Sequence, residues 1–156
     1  GVYDKKEAYE NQVTLATQLI QAGADVSIRN NINATPLFDV CWSGNRLNLD
    51  LVQLLLDNGA DPNIQNEQGE TPIMFTLEAS PAAAMLLLDF GVNVNLQAHR
   101  GLTILAGVRV FKERSVLSKT GGAQKEFLLK QWTKVEDKLI ELGAKEDIAS
   151  SGVEWC

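Results

Sequence analysis

Two cysteines, Cys41 and Cys156, and a single histidine, His99, stand in 156 residues. So few cannot supply a disulfide scaffold or a histidine-rich metal cluster, and no structural zinc is expected. Long apolar runs are also missing. The longest plain one, Ala82 to Leu88, spans seven residues, where a bilayer span needs about 18 or more. No glycine-rich phosphate loop is present, because Lys119-Thr120-Gly121-Gly122 runs in the wrong order for one. A net charge of −6 removes the cationic surface on which general nucleic-acid binding rests.

What is present is ordinary for one domain: 45% apolar and 22% charged residues, enough to bury a core without covalent staples. The charge is uneven. Residues 107 to 138 hold eight Lys/Arg against four Asp/Glu, a local +4, which leaves −10 for the remainder. Gly1 in place of an initiator Met is expected of a processed chain or of part of a longer one, and the compartment stays open: cytoplasmic, or exported after loss of a signal peptide, the bacterial periplasm included.

The chain repeats itself. Gly23-Ala24-Asp25-Val26-Ser27-Ile28, Gly59-Ala60-Asp61-Pro62-Asn63-Ile64 and Gly91-Val92-Asn93-Val94-Asn95-Leu96 align without gaps, and Gly143-Ala144-Lys145 is a weaker fourth copy. An apolar cluster precedes each glycine. A second phrase follows the first three: Asn33-Ala34-Thr35-Pro36-Leu37, Gly69-Glu70-Thr71-Pro72-Ile73 and Gly101-Leu102-Thr103-Ile104-Leu105. Thr-Pro marks a helix start, the hydroxyl capping free N–H groups while proline loses nothing at the first position. The glycines after the leucine clusters suit the left-handed residue that ends a helix. Asn33 fills the slot of Gly69 and Gly101, and Asn tolerates positive φ best after glycine.

This turn, helix, turn, helix unit resembles the ankyrin repeat. The resemblance covers nearly the whole chain and implies an all-α solenoid of stacked helix pairs with β-hairpin loops, in one domain. Its approximate repeats are 1–29, 30–65, 66–97 and 98–149, with an insertion at 112–130 and a tail at 150–156. Repeat one is expected to be a degenerate cap, with Asp4 and Glu7 forming a capping box. Repeat two gains three residues after Ser43-Gly44 and repeat three loses one around Ser80-Pro81. In the insertion, Leu128, Trp132, Val135, Leu139 and Leu142 form a stripe at helical spacing, so two lengthened helices joined at Gly121-Gly122 are expected. The family's His is replaced by Phe38 and Met74, which removes the Thr to His hydrogen bond.

The resemblance further implies a non-enzymatic module that binds another protein through its concave face and hairpin tips, without cofactor or metal, as a monomer that meets neither nucleic acid nor a bilayer. The candidate partner-binding residues are Asn31, Ile32, Ala34, Trp42, Ser43, Glu67, Gln68, Glu70, Glu78, His99 and Arg100. An alternative role is that of a structural or regulatory repeat segment of a larger protein. No catalytic residues are assigned: His99 falls at a loop tip without a nucleophile beside it, and Cys41 falls in a helix core, where an inert thiol is expected. Two readings of Trp42 stand, an interface anchor or a ring packed under the neighbouring three-residue gain. Lys119, Lys125, Lys130, Lys134 and Lys138 likewise form either a solvated face or a surface for an acidic partner or a phosphate surface.

Overall fold

A computed structural model describes residues 5–43, 47–78, 80–117 and 122–145, except the side chains of Lys5, Lys6, Glu78 and Arg100. Among them run seven α-helices: α1 (Lys5–Gln21), α2 (Pro36–Trp42), α3 (Leu49–Asp57), α4 (Pro72–Phe75), α5 (Pro81–Asp89), α6 (Ile104–Leu117) and α7 (Gly122–Glu141). A 3-10 turn, Thr76–Glu78, continues α4, and another, His99–Gly101, precedes α6. The pairs α2/α3, α4/α5 and α6/α7 stack in chain order. The domain is an all-α solenoid.

The helix ends lie where the glycine phrases put them. Gly23, Gly59, Gly91 and Gly143 have φ between +80° and +92°, each closing a helix through the left-handed region. Asn33 adopts φ +59°, beside +73° at Gly69 and +76° at Gly101. The loops close through turns such as Asn30 N–H to Ala34 C=O at 2.9 Å, Asn66 N–H to Glu70 C=O at 3.0 Å and Ala98 N–H to Leu102 C=O at 2.9 Å. One such bond is too little for a ladder, so the loops reverse like hairpins without a strand among the described residues.

Bonds that repeat with the sequence hold neighbouring units in register. Asn63 Oδ1 accepts from Asn93 N–H at 2.6 Å and its Nδ2 donates to Gly91 C=O at 3.4 Å. One unit later, Asn95 Oδ1 accepts from Lys145 N–H at 2.9 Å and its Nδ2 donates to Gly143 C=O at 3.2 Å. The tips are joined as well, Glu67 N–H donating to Ile32 C=O at 3.2 Å and His99 N–H to Gln68 C=O at 2.8 Å.

Three expectations need correction. Repeat one is a single 17-residue helix rather than a pair, and Asp4 of its capping box lies outside the described residues. It is tied to α3 by Asn48, whose side chain caps that helix at Asp50 and Leu51 N–H while its Nδ2 donates to Tyr9 C=O at 3.1 Å. Thr35 and Thr71 occupy N-cap positions, yet neither makes a side-chain cap bond; both hydroxyls are buried without a partner, because Phe38 and Met74 bring no ring nitrogen. Of the insertion stripe, Trp132, Val135 and Leu139 are buried and Leu128 half-buried, but Leu142 is exposed, since it lies past the end of α7.

The two ends of the stack differ. Leu19 is 53% exposed, whereas its repeat equivalents Leu55, Leu87 and Leu139 are 5%, 0% and 0% exposed; each of those lies behind a preceding unit. At the other end Arg109 and Glu136 replace the buried Leu77 and Ala84 of the unit before, and Glu136 accepts from Arg109 Nε at 2.8 Å and Lys112 Nζ at 2.5 Å. Burial works to raise the Glu136 carboxyl, but the hydrogen bonds and charges of Lys112 and Arg109 outweigh it and hold it below the usual carboxylate range.

Two predictions follow from these geometries. A group depressed in the folded state stabilises above its unfolded pKa and ceases to do so as pH falls through the folded one. Urea unfolding of Glu136→Gln should therefore show a loss of about 1–2 kcal/mol at pH 7, with the gap from the parent closing as the pH drops below about 4. Thr71→Val should raise the midpoint, by about 0.5–1 kcal/mol, because it removes a buried hydroxyl that has no partner.

Candidate functional site

A groove of about 500 Å³ opens on the face formed by the first helices and loops of the last three units. Its apolar surface comes from Ile32, Phe38, Trp42, Met74, Phe75, Leu77, Val110 and Phe111, with Ala34 and Gly107 also lining it; Asn66, Gln68, Glu70 and Arg114 add polar groups. The shape has a local cause. Gly107 stands at the repeat position of Phe75, so α6 offers no side chain where α4 offers a ring, and space is left between them.

The rings support one another. Phe75 meets Phe38 at 5.6 Å between centroids, edge to face, and Trp42 at 5.7 Å. Phe111 rests on the buried Trp132 at 5.5 Å. Trp42 is nevertheless 63% exposed; it leans on Phe75 and presents most of its surface to solvent.

Polar positions are fixed by the loop between α3 and α4. Asn66 Oδ1 accepts from both Gln68 and Glu70 N–H at 2.9 Å, and its Nδ2 donates to Glu70 Oε2 at 2.8 Å. Glu70 is half-buried and makes no ion pair among the described residues. Arg114, exposed, comes from the part of α6 that the insertion adds.

Of the sequence-predicted residues, the groove gathers Ile32, Ala34, Trp42, Gln68 and Glu70. Ala34 is no exposed tip: it is buried, because it immediately precedes Thr35 at the helix start. Asn31, Glu67 and His99 lie exposed on the loops outside the groove lining, and Ser43, exposed at the end of α2, turns its hydroxyl onto Val40 C=O. The side chains of Glu78 and Arg100 lie outside the description. Sequence reasoning missed Phe38, Asn66, Met74, Phe75, Leu77, Gly107, Val110, Phe111 and Arg114 as groove residues. A signal existed: Trp42 and Val110 share one repeat position, and Phe75 and Gly107 share another.

No nucleophile and base are joined here. Cys41 is buried, and burial alone pushes its thiol up to about 12, so it stays protonated and unreactive at neutral pH. The other cysteine, Cys156, lies outside the described residues. No group of three His, Cys, Asp or Glu is placed to hold a metal among the described residues, and no helix there is long and apolar enough to cross a membrane.

A family model described as ankyrin repeats (3 copies) matches residues 43–106. An ankyrin repeat protein of Acanthamoeba polyphaga mimivirus is 34% identical over 115 residues, 70% of this chain and 69% of the relative. The chain belongs to the ankyrin repeat family. Other members are longer. An ankyrin repeat-containing protein of Treponema pallidum is 30% identical over 114 residues, covering 72% of this chain but 37% of its own length. The human ankyrin repeat and SOCS box protein 16 is 39% identical over 84 residues, 53% of this chain and 18% of the relative. Ankyrin repeats generally mediate protein–protein interaction, and the family is generally non-enzymatic.

The thiol gives a direct check on the site. Under native conditions at pH 8, peptide mapping after treatment with a thiol reagent should find Cys41 unmodified, and urea at the unfolding midpoint should expose it to labelling.

Proposed function

We propose that this chain is a non-enzymatic binding module that holds another protein in the groove of its concave face, with Trp42 as the anchor at the mouth. The observation that carries the reading is the exposed indole: it is supported from behind by Phe75 yet open to solvent, above an apolar groove of about 500 Å³. Tryptophan held in this way is the residue type most often found to dominate interface energies. Asn31, Glu67, Gln68 and His99, exposed on the loops, supply a polar margin beside the groove, which suits the usual division of an interface into an apolar centre and a wet rim.

The lysines of α7 are assigned to solubility. Lys130 pairs with Glu126 at 2.9 Å on exposed surface and the half-buried Lys138 with the exposed Glu141 at 3.6 Å, and Lys125 donates to Val116 C=O. Lys119 lies outside the described residues.

Trp42→Ala should shift the unfolding free energy by about 0.5–1 kcal/mol, the worth of its ring contact with Phe75. The same substitution should weaken binding of a protein partner captured from native extract by about 2 kcal/mol. A partner that binds the variant undiminished would place the interface elsewhere.

A further inference from the structure

Within the groove, one polar group is both fixed and unanswered. Glu70 is half-buried, its Oε2 is held by Asn66 Nδ2 at 2.8 Å, and no cation pairs with it among the described residues. It shares the groove with Phe38, Trp42, Phe75 and Phe111. A carboxylate partly removed from water and already oriented gains most from a charged hydrogen-bond donor. Aromatic faces attract the same cation. The chain as a whole carries −6, which favours the approach of positive partners, although the α6 wall of the groove belongs to the locally positive segment 107–138.

Arg114, the groove's own cation, differs in each respect. It is exposed on the outer part of α6, where a long side chain can move aside and remain hydrated. The volume limits the occupant further. About 500 Å³ is the size of a site for a drug-sized ligand, which suits a few consecutive side chains and not a broad folded patch.

We infer that the groove takes a short linear segment of the partner in which a Lys or Arg stands next to a large apolar residue, the cation on Glu70 and the apolar side chain against Trp42 and Phe75. This deepens the protein-binding reading and rests on it. The segment's apolar residue supplies most of the buried area; its cation supplies the selectivity, because a glutamine or glutamate at the same place leaves the Glu70 carboxylate unpaired or opposed.

The test uses the full chain and an array of nonapeptides whose two central positions combine Arg, Lys, Gln or Glu with Leu, Phe, Trp or Ser, in a Gly-Ser frame. Binding should be confined to spots that join Arg or Lys to Leu, Phe or Trp. Glu70→Gln keeps an oxygen for Asn66 and should lower affinity for those peptides at least tenfold, bringing them level with their Gln counterparts, while the melting temperature stays put. Glu70→Lys should turn the preference to the Glu-containing peptides. Selection of apolar or acidic centres by the parent chain, or affinity unchanged in Glu70→Gln, overturns the inference. If Trp42→Ala abolishes peptide binding in that case, the groove reading survives its loss. An array that binds nowhere also overturns the inference, and the groove reading is then judged by whether Trp42→Ala weakens the captured protein partner.

Discussion

The groove depends on the register between successive loops. Two backbone bonds set it, Glu67 N–H to Ile32 C=O and His99 N–H to Gln68 C=O, and they form because each loop reverses through one left-handed residue, Asn33, Gly69 or Gly101. At Gly69 the requirement is double. Its φ is +73°, and a Cβ there would meet Gln97 C=O at 3.2 Å, Ala98 Cα at 3.3 Å and His99 N at 3.4 Å. At this contact the loops lie so close that a Cβ would need the next one to give by a few tenths of an ångström. The first helices inherit their spacing from this contact, and Phe38, Phe75 and Phe111 come to line one surface.

Packing behind the groove is apolar and continuous, from Leu37 and Val52 through Ile73 and Leu87 to Trp132 and Leu139. Against that background the polar exceptions are few and informative. Asn48 and the Asn63 and Asn95 clamps satisfy backbone groups between units, which is how a solenoid specifies its neighbours without long-range contacts. The orphaned hydroxyls of Thr35 and Thr71 and the unpartnered Trp132 Nε1 are places where stability has been given up. In the first two the cause is visible in the sequence: the slot that carries the family's His holds Phe38 and Met74. Phe38 is also a groove residue that packs on Phe75, so at that position a hydrogen bond has been exchanged for aromatic surface.

The stack was legible in the sequence because its determinants are local. A glycine after a leucine cluster, Thr-Pro before a helix and Asn in a glycine slot each state a backbone conformation within a few residues, and the structure places every one of them accordingly. The groove was less legible, since it arises from differences between units. Trp42 and Glu70 are apparent as candidates one repeat at a time. That Gly107 vacates the volume beside Phe75, or that the lengthened α6 brings Phe111 and Arg114 to the same surface, emerges only when three units are superposed and the insertion is given a helix. Repeat one forms one continuous helix because no glycine or proline interrupts residues 5–21.

Hydrogen exchange on Gly69→Ala, compared with Gly101→Ala, tests the register claim most directly. Both substitutions force an L side chain into positive φ, a strain of about 1–2 kcal/mol, but nothing lies within 4 Å of a Cβ at Gly101. The account predicts that Gly69→Ala alone unprotects the His99 amide, loosens the groove residues of α4 and α6, and destabilises more than Gly101→Ala. Equal losses in the two variants, with the His99 amide still protected in Gly69→Ala, would contradict it.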